Sequence, residues 1–165
     1  MFIDVPQARL FVVKHGRDGG TPIVAVGGWI GSSELWTDPL AYLSDEYLTV
    51  AYDHRGSGLS VCDASAITFD ALVGDTLAVM DACGIARGVL AAESAGALTA
   101  LAVASRHPDR VSHLVIVDGL YSRGVPVEPD PFLQALRSAY ADTLEGFVQR
   151  CVPEPDSEHI KIGRA

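Results

Sequence analysis

The sequence predicts an α/β fold built on a doubly wound, mostly parallel sheet. Three observations carry that prediction. Four short runs, residues 22–26, 48–52, 88–91 and 114–117, are apolar at nearly every position, as strands covered on both faces are. Stretches with helical spacing fill the intervals between them, so strand and helix alternate along the chain. That order makes parallel strands joined by crossover helices. Finally, Gly28, Asp53, Ser94 and Asp118 all fall just after apolar runs. In such sheets ligands bind at the carboxyl ends of the strands.

Each element has a local reason. Residues 9–14 read as a strand, and residues 1–5 as a second one paired with it; residues 16–20 are a glycine-rich turn. After the 22–26 strand come Gly27-Gly28 and a loop to Ser33. Residues 34–47 then show helical spacing at Trp36, Leu40, Leu43 and Tyr47. The 48–52 strand runs into a polar, glycine-rich loop, residues 53–60. Thr68 is placed to cap a helix through Phe69, Leu72, Val73, Leu77 and Met80, and Gly84 to end it. Residues 97–104 form another helix, stopped by His107-Pro108 because a residue before proline avoids helical geometry. Beyond Tyr121, Pro126, Pro129 and Pro131 exclude a helix over 125–131. Residues 131–140 read as a helix with Phe132, Leu133, Leu136 and Tyr140 on one face. Asp142-Thr143-Leu144-Glu145 resembles a capping box that opens a second, broken by Pro153 and Pro155, and Asp156 is placed to cap a third.

Composition narrows the function classes. The 165 residues fit one ordinary domain, and 48% hydrophobic with 20% charged residues supply a core rather than a disordered chain. A formal net charge of -9 repels phosphate backbones, which argues against a nucleic-acid partner. No apolar run approaches the roughly 18 residues that a membrane span needs. Met1-Phe2-Ile3-Asp4 shows no basic region followed by a long apolar one, so no signal peptide is expected. Cys62, Cys83 and Cys151 are widely spaced and form no C-x-x-C, so neither a zinc site nor a disulfide framework is suggested. A reduced, cytoplasmic compartment is the expectation.

Ser94 lies where the 88–91 strand meets the following helix. Small residues, Ala92 and Gly96, flank it two positions away on each side. That spacing suits a sharp turn that lifts one strained residue above the sheet. It also suits a serine that merely caps a helix. A hydroxyl raised in this way sits at a helix N-terminus, where developing negative charge is favoured. The small-x-Ser-x-small pattern is a looser form of the nucleophile elbow G-x-S-x-G.

Two further motifs stand in order before it: Val26-Gly27-Gly28-Trp29-Ile30-Gly31-Ser32, and Tyr52-Asp53-His54-Arg55-Gly56-Ser57-Gly58-Leu59-Ser60. With the elbow, they resemble the H-G-x-x-G-S and D-x-R-G-x-G-x-S motifs of the α/β-hydrolase fold family. The resemblance covers residues 9–119 and is nearest to small bacterial serine hydrolases of the enol-lactonase and esterase kind. It implies an α/β-hydrolase core over residues 1–121 and the start of a helical cap over 122–165.

By resemblance, Ser94 is the nucleophile of a cofactor-free hydrolase that acts on a small-molecule ester or lactone through an acyl-serine. The backbone N–H groups of Ala95 and Trp29 are the implied oxyanion donors. The family's first-motif histidine is Gly27 here, at a position that supports the loop rather than doing chemistry. Glu93 is unusual beside the nucleophile, either as a hydrogen-bonded carboxylate or as a group that tunes the site. Asp53 and Arg55 are expected to hold their loop by a salt bridge and hydrogen bonds, with His54 a neighbour of that loop. In some members the catalytic acid follows the strand that ends here at Asp118; Asp118 is therefore an acid candidate, or else a capping carboxylate. His15, His107, His113 and His159 read as turn, helix-end, pre-strand and exposed helix residues. None stands where the family carries its catalytic histidine. The resemblance thus predicts a domain cut off inside its cap and inactive as it stands. A ligand-binding or receptor protein on the same fold is the reading from a different class, since fold does not fix function.

Overall fold

The computed structural model describes residues 1–121 and 130–152. It divides into two compact units, Met1–Arg123 and Gly124–Ala165. The first holds seven strands, β1 (Phe2–Val5), β2 (Ala8–Gly16), β3 (Thr21–Val26), β4 (Tyr47–Tyr52), β5 (Val61–Cys62), β6 (Gly88–Glu93) and β7 (Val111–Val117). Its helices are α1 (Thr37–Leu43), α2 (Phe69–Ala82) and α3 (Gly96–Arg106). The strands form one sheet in the order β1-β2-β4-β3-β6-β7, with β5 paired to β2. β4, β3, β6 and β7 are parallel, while β1, β2 and β5 are joined antiparallel. The doubly wound, mostly parallel reading therefore holds.

The parallel strands are apolar at successive positions because each face meets a different layer. In β3, Val24 and Val26 join the larger cluster with Val50 of β4, Leu90 of β6, Val79 and Met80 of α2, and Val103 of α3. Ile23 and Ala25 point the other way and join Leu40 of α1, Ala51 and Ala91. Leu10, Val12, Val24, Val50, Val79, Met80, Leu90 and Val103 are fully buried. Each such side chain stabilises by about 1.5–3 kcal/mol relative to exposure.

The ends of α2 follow the sequence. Thr68 Oγ1 accepts the Ala71 N–H at 3.2 Å. At the other end Gly84 takes φ +73°, and the N–H groups of Gly84 and Ile85 turn back to the carbonyls of Asp81 and Met80. That pair of bonds is a Schellman cap.

Several expectations are corrected. The stretch from Glu34 to Tyr47 is not one helix: a 3-10 turn over Ser33–Trp36 leads into α1, and Tyr47 opens β4. β5 is a short strand that the sequence does not announce. β7 starts at Val111, so His113 lies inside it rather than before it. It is also not buried on both faces. Leu114 and Ile116 pack on the main core, but Val115 is 49% and Val117 55% exposed. β7 ends the sheet, and no helix of its own unit covers that face among the described residues.

The second unit contains α4 (Pro131–Ser138) and α5 (Tyr140–Cys151). Asp130 caps α4 by accepting from the N–H groups of Phe132 and Leu133, with Pro131 in the first turn. The rings of Phe132 and Phe147 are tilted by 46° to one another, with centroids 6.2 Å apart. α4 stops before Tyr140, because Ala139 leaves helical geometry at φ -149°, ψ 64°. The Asp142–Glu145 sequence is not a capping box. α5 begins at Tyr140, and Thr143 Oγ1 donates back to the Ala139 carbonyl at 2.7 Å. Pro126, Pro129, Pro153, Pro155, Asp156 and His159 lie outside the described residues.

Candidate functional site

The site is assembled at the carboxyl ends of β3, β4 and β6. Ser94 follows β6 directly and takes φ +48°, a conformation rare for a side-chain-bearing residue. Two neighbours hold it there. Its N–H donates to the Val117 carbonyl at 3.1 Å, and its own carbonyl accepts the Leu120 N–H at 3.0 Å. The turn passes straight into α3, whose first residue is Gly96. A Cβ on Gly96 would lie 2.5 Å from the Gly27 oxygen and 2.6 Å from the Val26 oxygen. The small residue is thus required by contact with β3, as the spacing implies. Ala92, on the other side, is fully buried.

The loop after β3 lies against this turn. A Cβ on Gly28 would meet Glu93 Oε1 at 2.8 Å and Ser94 Cβ at 3.0 Å. Gly28 is therefore glycine because the elbow occupies the space of a side chain. The Gly28 N–H donates to Glu93 Oε1 at 2.8 Å, so Glu93 is a hydrogen-bonded carboxylate that ties the two loops together. Trp29 follows Gly28, and Ile30 takes φ +59°. The Ala95 N–H, at the start of α3, has no partner among the described residues.

The loop after β4 is held as expected, with one difference. Asp53, 2% exposed, accepts the Ser33 N–H and the Leu59 N–H, each at 2.7 Å. It thereby joins the loops after β3 and β4. The salt bridge of Arg55 goes elsewhere, to Asp75 in the middle of α2. Nε reaches Oδ2 at 2.6 Å and Nη2 reaches Oδ1 at 2.8 Å, and both side chains are almost fully buried. Arg55 also donates to the carbonyls of Ala66 and Pro6. Its hydrogen bond to Asp75 pushes the guanidinium pKa up, against the opposite pull of burial. His54 bridges: Nδ1 lies 2.8 Å from the Arg55 carbonyl and Nε2 2.8 Å from the Gly28 carbonyl.

Asp118 follows β7 at φ +46° and is exposed. Its carboxylate makes no hydrogen bond among the described residues. Among the described residues no group of His, Cys, Asp and Glu is arranged to hold a metal ion. No helix there is long and apolar enough to cross a membrane. The three cysteines are free thiols.

The α/β-hydrolase fold family model matches residues 21–161, most of the chain and all three loops. The chain belongs to the α/β-hydrolase fold family. Among the hydrolases of known sequence, RutD of Caulobacter segnis, a protein named for carbamate hydrolysis, is 35% identical over 118 residues, 70% of this chain and 42% of its own. RutD of Caulobacter vibrioides is 34% identical over 136 residues, 81% of this chain and 48% of its own. The chain thus spans about half the length of the curated relatives it matches. The solved enol-lactonase of Burkholderia xenovorans superposes with a TM-score of 0.80 at 26% identity, over 93% of this chain and 63% of that one. The fold recurs at 21% identity in the carboxylesterase CesB of Bacillus subtilis, with a TM-score of 0.76 over 90% of this chain and 52% of that one.

Proposed function

We propose that this α/β-hydrolase chain carries the nucleophile and oxyanion loop of a serine hydrolase that opens an ester or lactone through an acyl-serine. The observation that carries the reading is the strained placement of Ser94 at the end of β6, with the Gly28 backbone packed against it. Ser94 Oγ attacks the acyl carbon. The N–H groups of Ala95 and Trp29 receive the charge that develops on the carbonyl oxygen, where preplaced donors act most strongly. The names of the 35% and 34% identical relatives extend the substrate class to carbamates, which react at the same kind of carbonyl.

A serine hydroxyl needs a base to take its proton. His54 does not supply it, since both of its ring nitrogens face backbone carbonyls. None of the described histidines is assigned as the base, and on that ground residues 1–165 are proposed to be inert. The acid role is not given to Asp118, whose identity is accounted for by its backbone. Residues 122–165 are proposed as the start of a helical cap.

The test is an ester assay on a polypeptide that carries this chain through to the length of its relatives. Turnover that vanishes in Ser94→Ala supports the reading. Absence of both turnover and labelling by an acyl-serine probe, with ester ligands still bound, would favour a binding protein on the same fold.

A further inference from the structure

Gly28 is held at both ends of its backbone. Its N–H donates to Glu93 Oε1, and its carbonyl faces His54 Nε2, each at 2.8 Å. The same carbonyl accepts the Gly31 N–H at 3.1 Å, closing a turn over Trp29 and Ile30. The turn needs such support: Ile30 is β-branched and takes φ +59°, a position that persists only when its surroundings over-determine it.

The Gly28 carbonyl and the Trp29 N–H belong to one planar peptide unit. A donor that fixes the carbonyl therefore fixes the direction of that N–H, which points the opposite way. The same donor polarises the unit and strengthens the N–H, as happens along chains of hydrogen bonds. We propose that His54 is a positioning residue, whose Nε2–H aims and polarises the Gly28–Trp29 peptide so that the Trp29 N–H meets the oxyanion formed at Ser94. The proposal rests on the reading of Ser94 and Trp29 given above.

The position of the ring explains why it comes from the second loop. A Cβ on Gly27 would lie 3.8 Å from His54 Cδ2, in ordinary contact. The imidazole thus stands beside the residue where the family's first motif carries its histidine and this chain has none. Asp53, one residue before His54, binds the Ser33 N–H at 2.7 Å, so the two loops are locked in register and His54 reaches Gly28 at fixed distance. Nδ1 faces the Arg55 carbonyl. A doubly protonated ring donates to both carbonyls, and a neutral ring to one only. The proposal requires that Nε2 carry a proton.

Nuclear magnetic resonance on isotope-labelled residues 1–165 tests this without turnover. Long-range proton–nitrogen spectra of the His54 ring should show a protonated Nε2. The Gly28 carbonyl carbon and the Trp29 amide nitrogen should both shift upfield in His54→Phe, which fills space without donating. His54→Gln, whose side-chain amide donates, should restore at least half of both shifts. A neutral ring with a bare Nε2, or identical Gly28 and Trp29 signals in the Phe and Gln variants, would overturn the proposal. The ring measurement needs no variant and stands even if His54→Phe fails to fold. Ser94→Ala should leave the Gly28 and Trp29 signals in place. An active Ser94→Ala enzyme would therefore overturn the nucleophile, while the His54 spectra judge the clamp separately.

Discussion

Gly96 and the Gly27 carbonyl approach so closely that a Cβ on Gly96 would come within 2.5 Å of the oxygen. The atoms it would meet are backbone of β3 and its loop, which cannot swing aside as a side chain would. Gly96→Val is therefore expected to destabilise the fold at or above the upper end of the ~1–3 kcal/mol seen for overpacked cores. A urea melt measures it. A loss under about 0.5 kcal/mol, within the range of neutral surface changes, would contradict the packing account.

Asp75 is the sole carboxylate bonded to the buried Arg55 among the described residues. Asp75→Ala leaves a guanidinium buried with only the Ala66 and Pro6 carbonyls. Breaking one side of a buried pair costs about 3–5 kcal/mol. Asp75→Asn keeps an acceptor and should cost less. Denaturant melts of the two variants are expected to fall in that order, and equal stability of Asp75→Ala and wild type would refute it.

Stability should fall on the alkaline side. Burial pushes the Tyr52 hydroxyl well above its ordinary 10.0, and burial also pushes the Cys83 thiol above 9.0. Folded-state values raised above the unfolded ones mean that the folded protein holds more protons in between. The stabilisation is then complete below the unfolded values and is lost as pH rises through the window above them. Thr76 Oγ1 donates to the Leu72 carbonyl, so the Tyr52 hydroxyl is the donor to Thr76 at 2.8 Å. Ionisation removes that donor. Melting temperature should decline from about pH 9 upward, and Tyr52→Phe should flatten the part above pH 10. An unchanged alkaline slope in Tyr52→Phe would show that Tyr52 does not govern it.

Asp118 is explained by its φ of +46° rather than by a bond of its carboxylate. Asn tolerates that conformation as Asp does, and a β-branched residue does not. Asp118→Asn is expected to leave the stability unchanged, and Asp118→Val to lower it by about 1–2 kcal/mol. In a polypeptide of full family length, Asp118→Asn should stay within tenfold of the parent rate. A thousandfold loss at unchanged melting temperature would make Asp118 the catalytic acid.

The sheet and the elbow were legible because each depends on local pattern. β3, β4 and β6 are apolar on both faces since each face meets a different layer, and the two small residues around Ser94 reflect a contact that admits no bulk. What escaped depends on long-range pairing. Asp75 lies inside a helical pattern, where one more polar residue reads as a solvated position, yet it is 2% exposed because Arg55 meets it. His54 gave no signal beyond its loop, since its partners are carbonyls rather than side chains. β5 is two residues long, too short for any period to show. The exposed face of β7 was hidden by its composition, for an apolar edge strand and an apolar central strand read alike.

We propose that Ser94 performs the chemistry. The direct measurement is hydrolysis of an activated ester by a polypeptide that carries this chain to the length of its relatives, with and without Ser94→Ala. Removing a serine of this kind should lower the rate by at least about a thousandfold while the melting temperature holds. Retention of more than a tenth of the rate in Ser94→Ala would contradict the account.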